Sequence, residues 1–166
     1  MYSKKVSFIT QSAIIAALYI AMTYLAFSVN LASGPIQIRF SEALAVLPYF
    51  TPAAIPGLFI GCLLSNVLTG AIIWDILFGS LATLIGALVA YAMRKLKSKW
   101  LICIPNILAN SIIIPFVLIY AYGDASAYYL LLASVGIGEI ISCGVMGTAL
   151  LFYLDKHKHF IFKNRG

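Results

Sequence analysis

Long apolar stretches separated by short polar breaks follow one another along the whole chain. A helix needs about 20 apolar residues to cross a bilayer, so the 166 residues accommodate about six such helices with short connections. The pattern therefore predicts an all-α integral membrane protein with a single transmembrane domain over residues 1–166. Its six predicted spans lie at about 7–28, 41–50, 53–69, 73–93, 101–122 and 126–154.

The second predicted span is much shorter than the others, because it ends at Pro48 and Pro52. Ten residues of α-helix cover only about 15 Å, which is half the thickness of the hydrocarbon layer. We therefore expect this segment to be tilted, broken, or screened from lipid by its neighbours.

Composition and charge support the membrane assignment. Hydrophobic residues make up 63% of the chain and charged residues 10%, whereas soluble domains are about half apolar and a quarter charged. The net charge of +6 would suggest nucleic acid in a soluble protein, but here the basic residues lie in three clusters between apolar stretches, and we expect no nucleic-acid partner. The clusters are Lys4 and Lys5; Arg94, Lys95, Lys97 and Lys99; and Lys156, Lys158, Lys163 and Arg165.

The positions of these clusters predict the topology. Basic residues collect on the cytoplasmic side of membrane helices, so an even number of spans must separate successive clusters. Four spans fit between the first and second clusters, and two fit between the second and third. Both termini are therefore predicted to be cytoplasmic.

Small residues recur every four positions on three of the predicted spans, a spacing that lets another helix approach closely. Span 1 carries Ala13, Ala17 and Ala21. The corresponding ridges are Ala53, Gly57, Gly61, Ser65 and Thr69 in span 3, and Gly79, Thr83 and Ala87 in span 4. We expect spans 3 and 4 to use their ridges inside the bundle, which leaves the ridge of span 1 open to a partner.

Three of the five acidic residues, Glu42, Asp75 and Glu139, lie within or beside apolar stretches. A carboxylate at bilayer depth is costly unless a partner or a wet cavity compensates it, so it indicates a functional site. The predicted topology places these acids and several other polar residues in the outer half of the protein, where one pocket open to the outside can collect them. The candidate substrate-binding residues are Arg39, Glu42, Asn66, Trp74, Asp75, Asn110 and Glu139.

Most of these residues also have a structural explanation. Glu42 follows Ser41 and can complement a helix N-terminus or pair with Arg39. Asp75 can complement the positive N-terminus of span 4, and Trp74 can anchor that helix at the membrane interface. Glu139 is too far from a helix end for such a role, and no basic residue is predicted at its depth. A purely structural Glu139 would have to be protonated, or bonded to Asn110 or to hydroxyl groups, and the pattern favours a ligand role.

A carboxylate in an apolar, aromatic pocket suits a planar heterocycle that is neutral or weakly cationic. Its two oxygens can accept two adjacent N–H donors, as a guanine-type edge provides. Trp74, Tyr120 and Tyr122 are candidates for stacking on the ring. Several heterocycles satisfy this chemistry equally well.

Motifs for catalysis and metal binding are absent from the sequence. It contains no Walker A motif, no glycine-rich phosphate loop, no HExxH, and no Ser/His or Cys/His pair within the predicted spans. Cys62, Cys103 and Cys143 stand singly in apolar stretches without ligand spacing. We therefore expect neither an enzyme nor a bound metal or cofactor.

Several segments resemble the QueT family, the substrate-binding (S) components of energy-coupling factor (ECF) transporters. They are residues 37–48 (QIRFSEALAVLP), residues 51–62 (TPAAIPGLFIGC), Asp75 with residues 79–84 (GSLATL), and Gly138-Glu139 followed by Cys143. The resemblance extends over essentially the full chain. One departure is Thr148, where the family is expected to carry proline.

The resemblance implies a six-helix S component in the bacterial plasma membrane that captures a queuosine precursor, a 7-deazaguanine base or queuine, from outside the cell. It also implies a transmembrane coupling protein, which the ridge of Ala13, Ala17 and Ala21 would contact, and two cytoplasmic ATPases. The loop of residues 29–40 corresponds to a loop that closes over substrate in related proteins.

The sequence is compatible with three alternatives. The chain could be an S component for another small heterocycle or vitamin. It could be a standalone proton-coupled carrier that uses Glu139 as its proton site. It could also be a non-transporting membrane scaffold, against which the polar residues of the outer half argue.

Overall fold

The regular structure is helical wherever the chain is described. The computed structural model describes residues 2–31, 37–96 and 98–161. The predicted-loop residues Gly34 and Pro35 and the basic residues Lys97, Lys163 and Arg165 lie outside these ranges. The α-helices are α1 (Tyr2–Ser28), α2 (Ala54–Leu68), α3 (Ile73–Met93), α4 (Ile104–Tyr120), α5 (Tyr128–Glu139) and α6 (Thr148–Ile161). Two 3₁₀ helices, Phe40–Tyr49 and Lys99–Cys103, and a π-helical segment, Ile140–Gly147, complete the order.

These elements confirm the prediction of an all-α membrane protein. Four helical stretches in the described part of the chain are long and apolar enough to cross a bilayer: Lys4–Ser28, Ile73–Met93, Lys99–Tyr120 and Tyr128–His157. Helix α2 is apolar but shorter. Large apolar side chains on the outside, such as Ile9 and Leu68, are more than half exposed, as lipid contact requires.

The short second span forms the 3₁₀ helix Phe40–Tyr49, and its neighbours screen it from lipid. Residues 41–48 are all buried, and the segment packs against α1, α3 and the π-helical segment. Pro48 lies inside it and lacks a backbone N–H, which disfavours regular α-helix. Leu44, Val46 and Leu47 join Tyr19 of α1 in the hydrophobic core.

The ridge on α2 packs inside the bundle, as predicted. A Cβ added at Gly57 would lie 2.8 Å from the carbonyl oxygen of Ser12, and one at Gly61 would lie 2.7 Å from the Cβ of Tyr19. The two glycines therefore allow α2 to lie directly against α1. The ridge of Gly79, Thr83 and Ala87 on α3 is likewise buried.

The ridge on α1 has the opposite exposure. Ala13, Ala17 and Ala21 all lie exposed, whereas Ile15, Ala16 and Tyr19 on the other face of the helix are buried. One face of α1 therefore packs on the bundle and the other presents small side chains to the outside.

The last span continues from α5 through the π-helical segment into α6. Gly147 lets this segment approach the 3₁₀ helix Phe40–Tyr49, since a Cβ there would lie 3.2 Å from Cγ1 of Val46. Thr148, the expected departure from the family pattern, is buried with its Oγ1 3.4 Å from Sγ of Cys103. In the middle of α6, Asp155 forms a 2.6 Å ion pair with Lys99.

Candidate functional site

Two buried carboxylates meet at one amide group in the centre of the bundle. Glu42 comes from the 3₁₀ helix and Glu139 from the last residue of α5, and Asn106 of α4 lies between them. The Nδ2 of Asn106 donates to Oε2 of Glu42 at 2.9 Å and to Oε2 of Glu139 at 3.2 Å. Asn106 is fully buried, and the two acids are 1% and 7% exposed. The site therefore joins three elements that are distant in the sequence.

Glu42 is held on both of its oxygens. The Tyr19 hydroxyl of α1 donates to Oε1, and Asn106 donates to Oε2. The preceding residue, Ser41, is tied to α1 as well, because Thr23 donates to its hydroxyl at 2.8 Å. Glu42 is thus built into the packing of the bundle, whereas Glu139 receives its hydrogen bond from Asn106 at Oε2.

Two glycines make room for this arrangement. A Cβ at Gly86 of α3 would lie 2.7 Å from Oδ1 and 2.8 Å from Cα of Asn106, so only glycine lets α4 bring this amide so close to α3. A Cβ at Gly138 would lie 2.2 Å from the carbonyl oxygen of Gln37. The segment that leads into the 3₁₀ helix therefore passes directly over α5 beside Glu139.

Arg39, which was predicted in an external loop, lies close enough for its charge to act on Glu139. Its backbone N–H donates to the hydroxyl of Ser142 at 3.1 Å, which ties it to the π-helical segment. Its charge acts on Asp75, Glu42 and Glu139. The difference arises because residues 37–39 enter the bundle over Gly138 instead of remaining in an external loop.

Asn110, one of the partners considered for a structural Glu139, does not bond to it; the amide that does lies one helical turn earlier, at Asn106. Its Nδ2 donates to the backbone carbonyl of Asn106 at 3.2 Å. Asn110 therefore supports the residue that bridges the two acids.

Asp75 and Asn66 form a second polar group between α2 and α3. Asp75 Oδ2 accepts a hydrogen bond from the Tyr122 hydroxyl at 3.2 Å, and Nδ2 of Asn66 lies 3.5 Å from the Asp75 carbonyl oxygen. Both side chains are buried, and Gly79 leaves the space that they fill. Arg39 links this group to the central carboxylates through its charge.

Trp74 lies away from these polar groups, on the outer surface of α3. It is 54% exposed, and its ring stacks on Phe78 with 6.1 Å between centroids. It lines an apolar groove between α3 and α4 with a volume of about 680 Å³, and Tyr120 lines the same groove. The full lining is Trp74, Phe78, Leu81, Ile112, Ile113, Phe116, Val117, Tyr120 and Ala121.

Sequence reasoning missed Tyr19 and Asn106. Asn106 precedes Asn110 by one turn in a mainly apolar helix. This spacing forms a polar stripe on α4 that could have identified Asn106 from the sequence. Tyr19 gave none, because a tyrosine in a membrane helix is equally compatible with a lipid-facing position. Within the described residues, no group of three or more His, Cys, Asp or Glu side chains could hold a metal ion.

Comparison with known proteins identifies the family. The family model of the QueT transporter matches residues 9–156. The queuosine precursor transporter QueT of Lactococcus lactis subsp. cremoris (strain MG1363) is 36% identical to this chain over 85 residues, which cover 51% of this chain and 50% of that protein. The match thus spans about half the length of that relative. No solved structure matches the chain significantly. Since the family model covers most of the sequence, this chain belongs to the QueT transporter family.

Proposed function

We propose that this chain is the substrate-binding membrane component of an ATP-driven ECF importer in a bacterial plasma membrane. Its substrate is a queuosine precursor, a 7-deazaguanine base or queuine, captured from outside the cell. Membership of the QueT transporter family supports the transport role, and the name of the Lactococcus lactis relative supports the substrate class. The observation that carries the binding site is Glu139, buried in the bundle and fixed through one of its two oxygens.

The two central acids have different tasks in this proposal. Glu42 shapes the site, because Tyr19 and Asn106 occupy both of its oxygens. Glu139 is fixed through one lone pair of Oε2 and offers Oε1 and the second lone pair of Oε2 to the ligand. The edge of a 7-deazaguanine carries a ring N–H beside an exocyclic amine, and hydrogen bonds from such donors to a buried carboxylate are strong and directional.

Four of the remaining candidate residues support this contact. Arg39 balances the negative charge of the acids, and Asn110 holds Asn106 in place. Asn66 and Asp75 form the wall on the α2–α3 side. Trp74 lies away from this contact, in the apolar groove on the outer surface of α3 and α4, and takes no part in it.

The energy for transport comes from partner proteins in this proposal. The exposed ridge of Ala13, Ala17 and Ala21 is the docking surface for a transmembrane coupling protein, since small residues allow close helix contact. A shallow groove beside it is lined by Ala17, Ile20, Ala21, Tyr24, Leu25 and Ser28. Two cytoplasmic ATPases, bound to the coupling protein, supply ATP hydrolysis.

Ligand binding by purified Glu139→Gln protein tests the site. We expect the wild-type chain in detergent to bind 7-deazaguanine and the variant to lose measurable binding, because an amide presents one acceptor oxygen and a repelling N–H group to the ligand. Asp124→Asn makes the same chemical change in the connection between α4 and α5 and should bind normally. Unchanged affinity of folded Glu139→Gln would refute this site.

Transport measurements separate the proposal from a proton-coupled carrier. The chain alone in proteoliposomes should bind substrate without accumulating it, and accumulation should require the coupling protein, the ATPases and ATP. Uptake by the isolated chain that follows a pH gradient would contradict the ECF assignment.

A further inference from the structure

We infer that Asn106 is the positioning residue that sets the specificity of the site, by holding the Glu139 carboxylate in the orientation that pairs with two adjacent ligand N–H groups. The inference rests on the proposed function, since it assumes that Glu139 contacts the substrate. Sequence reasoning did not select Asn106, and its role follows from its place between the two acids.

The hydrogen bonds of Asn106 define the orientation of its amide. Both protons of Nδ2 are used, one for Glu42 at 2.9 Å and one for Glu139 at 3.2 Å. Its Oδ1 has no hydrogen-bond donor in the described part of the chain. It faces Gly86, where an added Cβ would lie 2.7 Å away. The reverse orientation would turn this oxygen toward two carboxylates, leaving Glu139 without its donor and Glu42 with that of Tyr19 alone.

The amide is also fixed in position from two sides. Gly86 lies directly behind it, and the backbone carbonyl of Asn106 accepts a hydrogen bond from Asn110 one turn later. On the opposite side, Glu42 is anchored to α1 by Tyr19 and cannot follow a displaced amide. Asn106 therefore ties Glu139 to the fixed contact between α1 and the 3₁₀ helix Phe40–Tyr49.

This geometry explains how a single carboxylate can discriminate between similar bases. With one lone pair of Oε2 bonded to Asn106, the plane of the Glu139 carboxylate is restricted. Oε1 and the second lone pair of Oε2 can then each accept one N–H from the ligand edge. A base with a ring N–H and an exocyclic amine fits such a carboxylate better than a base with the ring N–H alone. Loss of the hydrogen bond from Asn106 to Glu139 should remove this preference and also lower the affinity.

The test compares 7-deazaguanine with 7-deazahypoxanthine, which lacks the exocyclic amine. Asn106→Ala removes the donor, and Gly86→Ala displaces it while keeping every polar group in the chain. Each change should weaken 7-deazaguanine binding by about 10-fold to 100-fold, the range found for groups that orient metal-binding side chains. The affinity ratio between the two bases should fall toward one.

Gly144→Ala is the matched control, because an added Cβ there meets Cδ1 of Ile107, the neighbour of Asn106, at an ordinary 3.6 Å. This variant changes a contact with α4 without touching the Asn106 amide. It should keep both the affinity for 7-deazaguanine and the affinity ratio between the two bases. Thermal unfolding in detergent identifies folded variants, and Gly86→Ala keeps the test valid if Asn106→Ala does not fold.

The ratio of the affinities for the two bases distinguishes a specificity role of Asn106 from a purely structural one. A variant that is merely loosened binds both bases more weakly in the same proportion, so a preserved ratio in folded Gly86→Ala overturns the inference while the proposed function stands. If the wild-type chain binds neither base, the proposed substrate class fails and the inference fails with it.

Discussion

At the scale of single residues, Glu42 and Glu139 differ in what their packing leaves for a ligand. Glu42 accepts hydrogen bonds on both oxygens from within the protein, whereas Asn106 holds Glu139 at Oε2. The depth of Glu139 in an apolar stretch was enough to select it from the sequence. Its partner was not predictable, because choosing between Asn106 and Asn110 requires the rotation of α4 about its axis, which only tertiary contacts determine.

The hydroxyl of Tyr19 offers a test of the structural role of Glu42. Tyr19→Phe removes a donor to a buried oxygen, and leaving such an acceptor unsatisfied costs about 1–3 kcal/mol. We expect the free energy of unfolding, measured by denaturation in mixed detergent micelles, to fall by that amount. Tyr24→Phe on the same helix is the control, since Tyr24 is 57% exposed and should lose almost nothing. Equal stability of the Tyr19→Phe and wild-type proteins would contradict the assigned contact.

At the scale of elements, prolines and apolar length predicted most of the helix boundaries to within a few residues. Pro48 and Pro52 marked the short second span, and the structure shows why it is tolerated: the 3₁₀ helix Phe40–Tyr49 is buried by its neighbours and does not face lipid. The π-helical segment Ile140–Gly147 was not predictable. Between Glu139 and Thr148 the segment carries a single polar residue, Ser142, and so few polar positions do not reveal a change in helical period.

The two faces of α1 give a prediction at this same scale. Ala17→Trp places a large side chain on the exposed ridge, which should block the close approach of a partner helix, while Tyr19 on the buried face is undisturbed. We expect normal 7-deazaguanine binding by the isolated variant and loss of co-purification with the coupling protein. Ala133→Trp makes the same change at an exposed position of α5 and should assemble normally. Intact assembly of the Ala17→Trp variant would remove this ridge from the proposed interface.

At the scale of the whole molecule, the three basic clusters predict which side of the bundle faces the cytoplasm. Cysteine labelling in intact cells checks this orientation with little background, because Cys62, Cys103 and Cys143 are all buried. A cysteine at Asp124, in the connection between α4 and α5, should react with a membrane-impermeant maleimide added outside. A cysteine at Ser98, in the connection between α3 and α4, should react only after the cells are opened. The reverse pattern would invert the topology and place the proposed docking partners on the wrong side.

The family and the all-α architecture were within reach of the sequence, since both depend on local motifs and on the lengths of apolar stretches. The construction of the site was not, because it depends on contacts between residues as distant as Tyr19 and Glu42, or Gly86 and Asn106. These contacts exist only once the helices have packed.

The most direct test of the central claim is mass spectrometry of the small molecules that co-purify with the chain from its native membrane. We predict a 7-deazaguanine-type base in the wild-type sample and its absence from folded Glu139→Gln protein prepared in parallel. A different class of molecule, or equal amounts of the base in both samples, would contradict the proposal that this chain captures a queuosine precursor through Glu139.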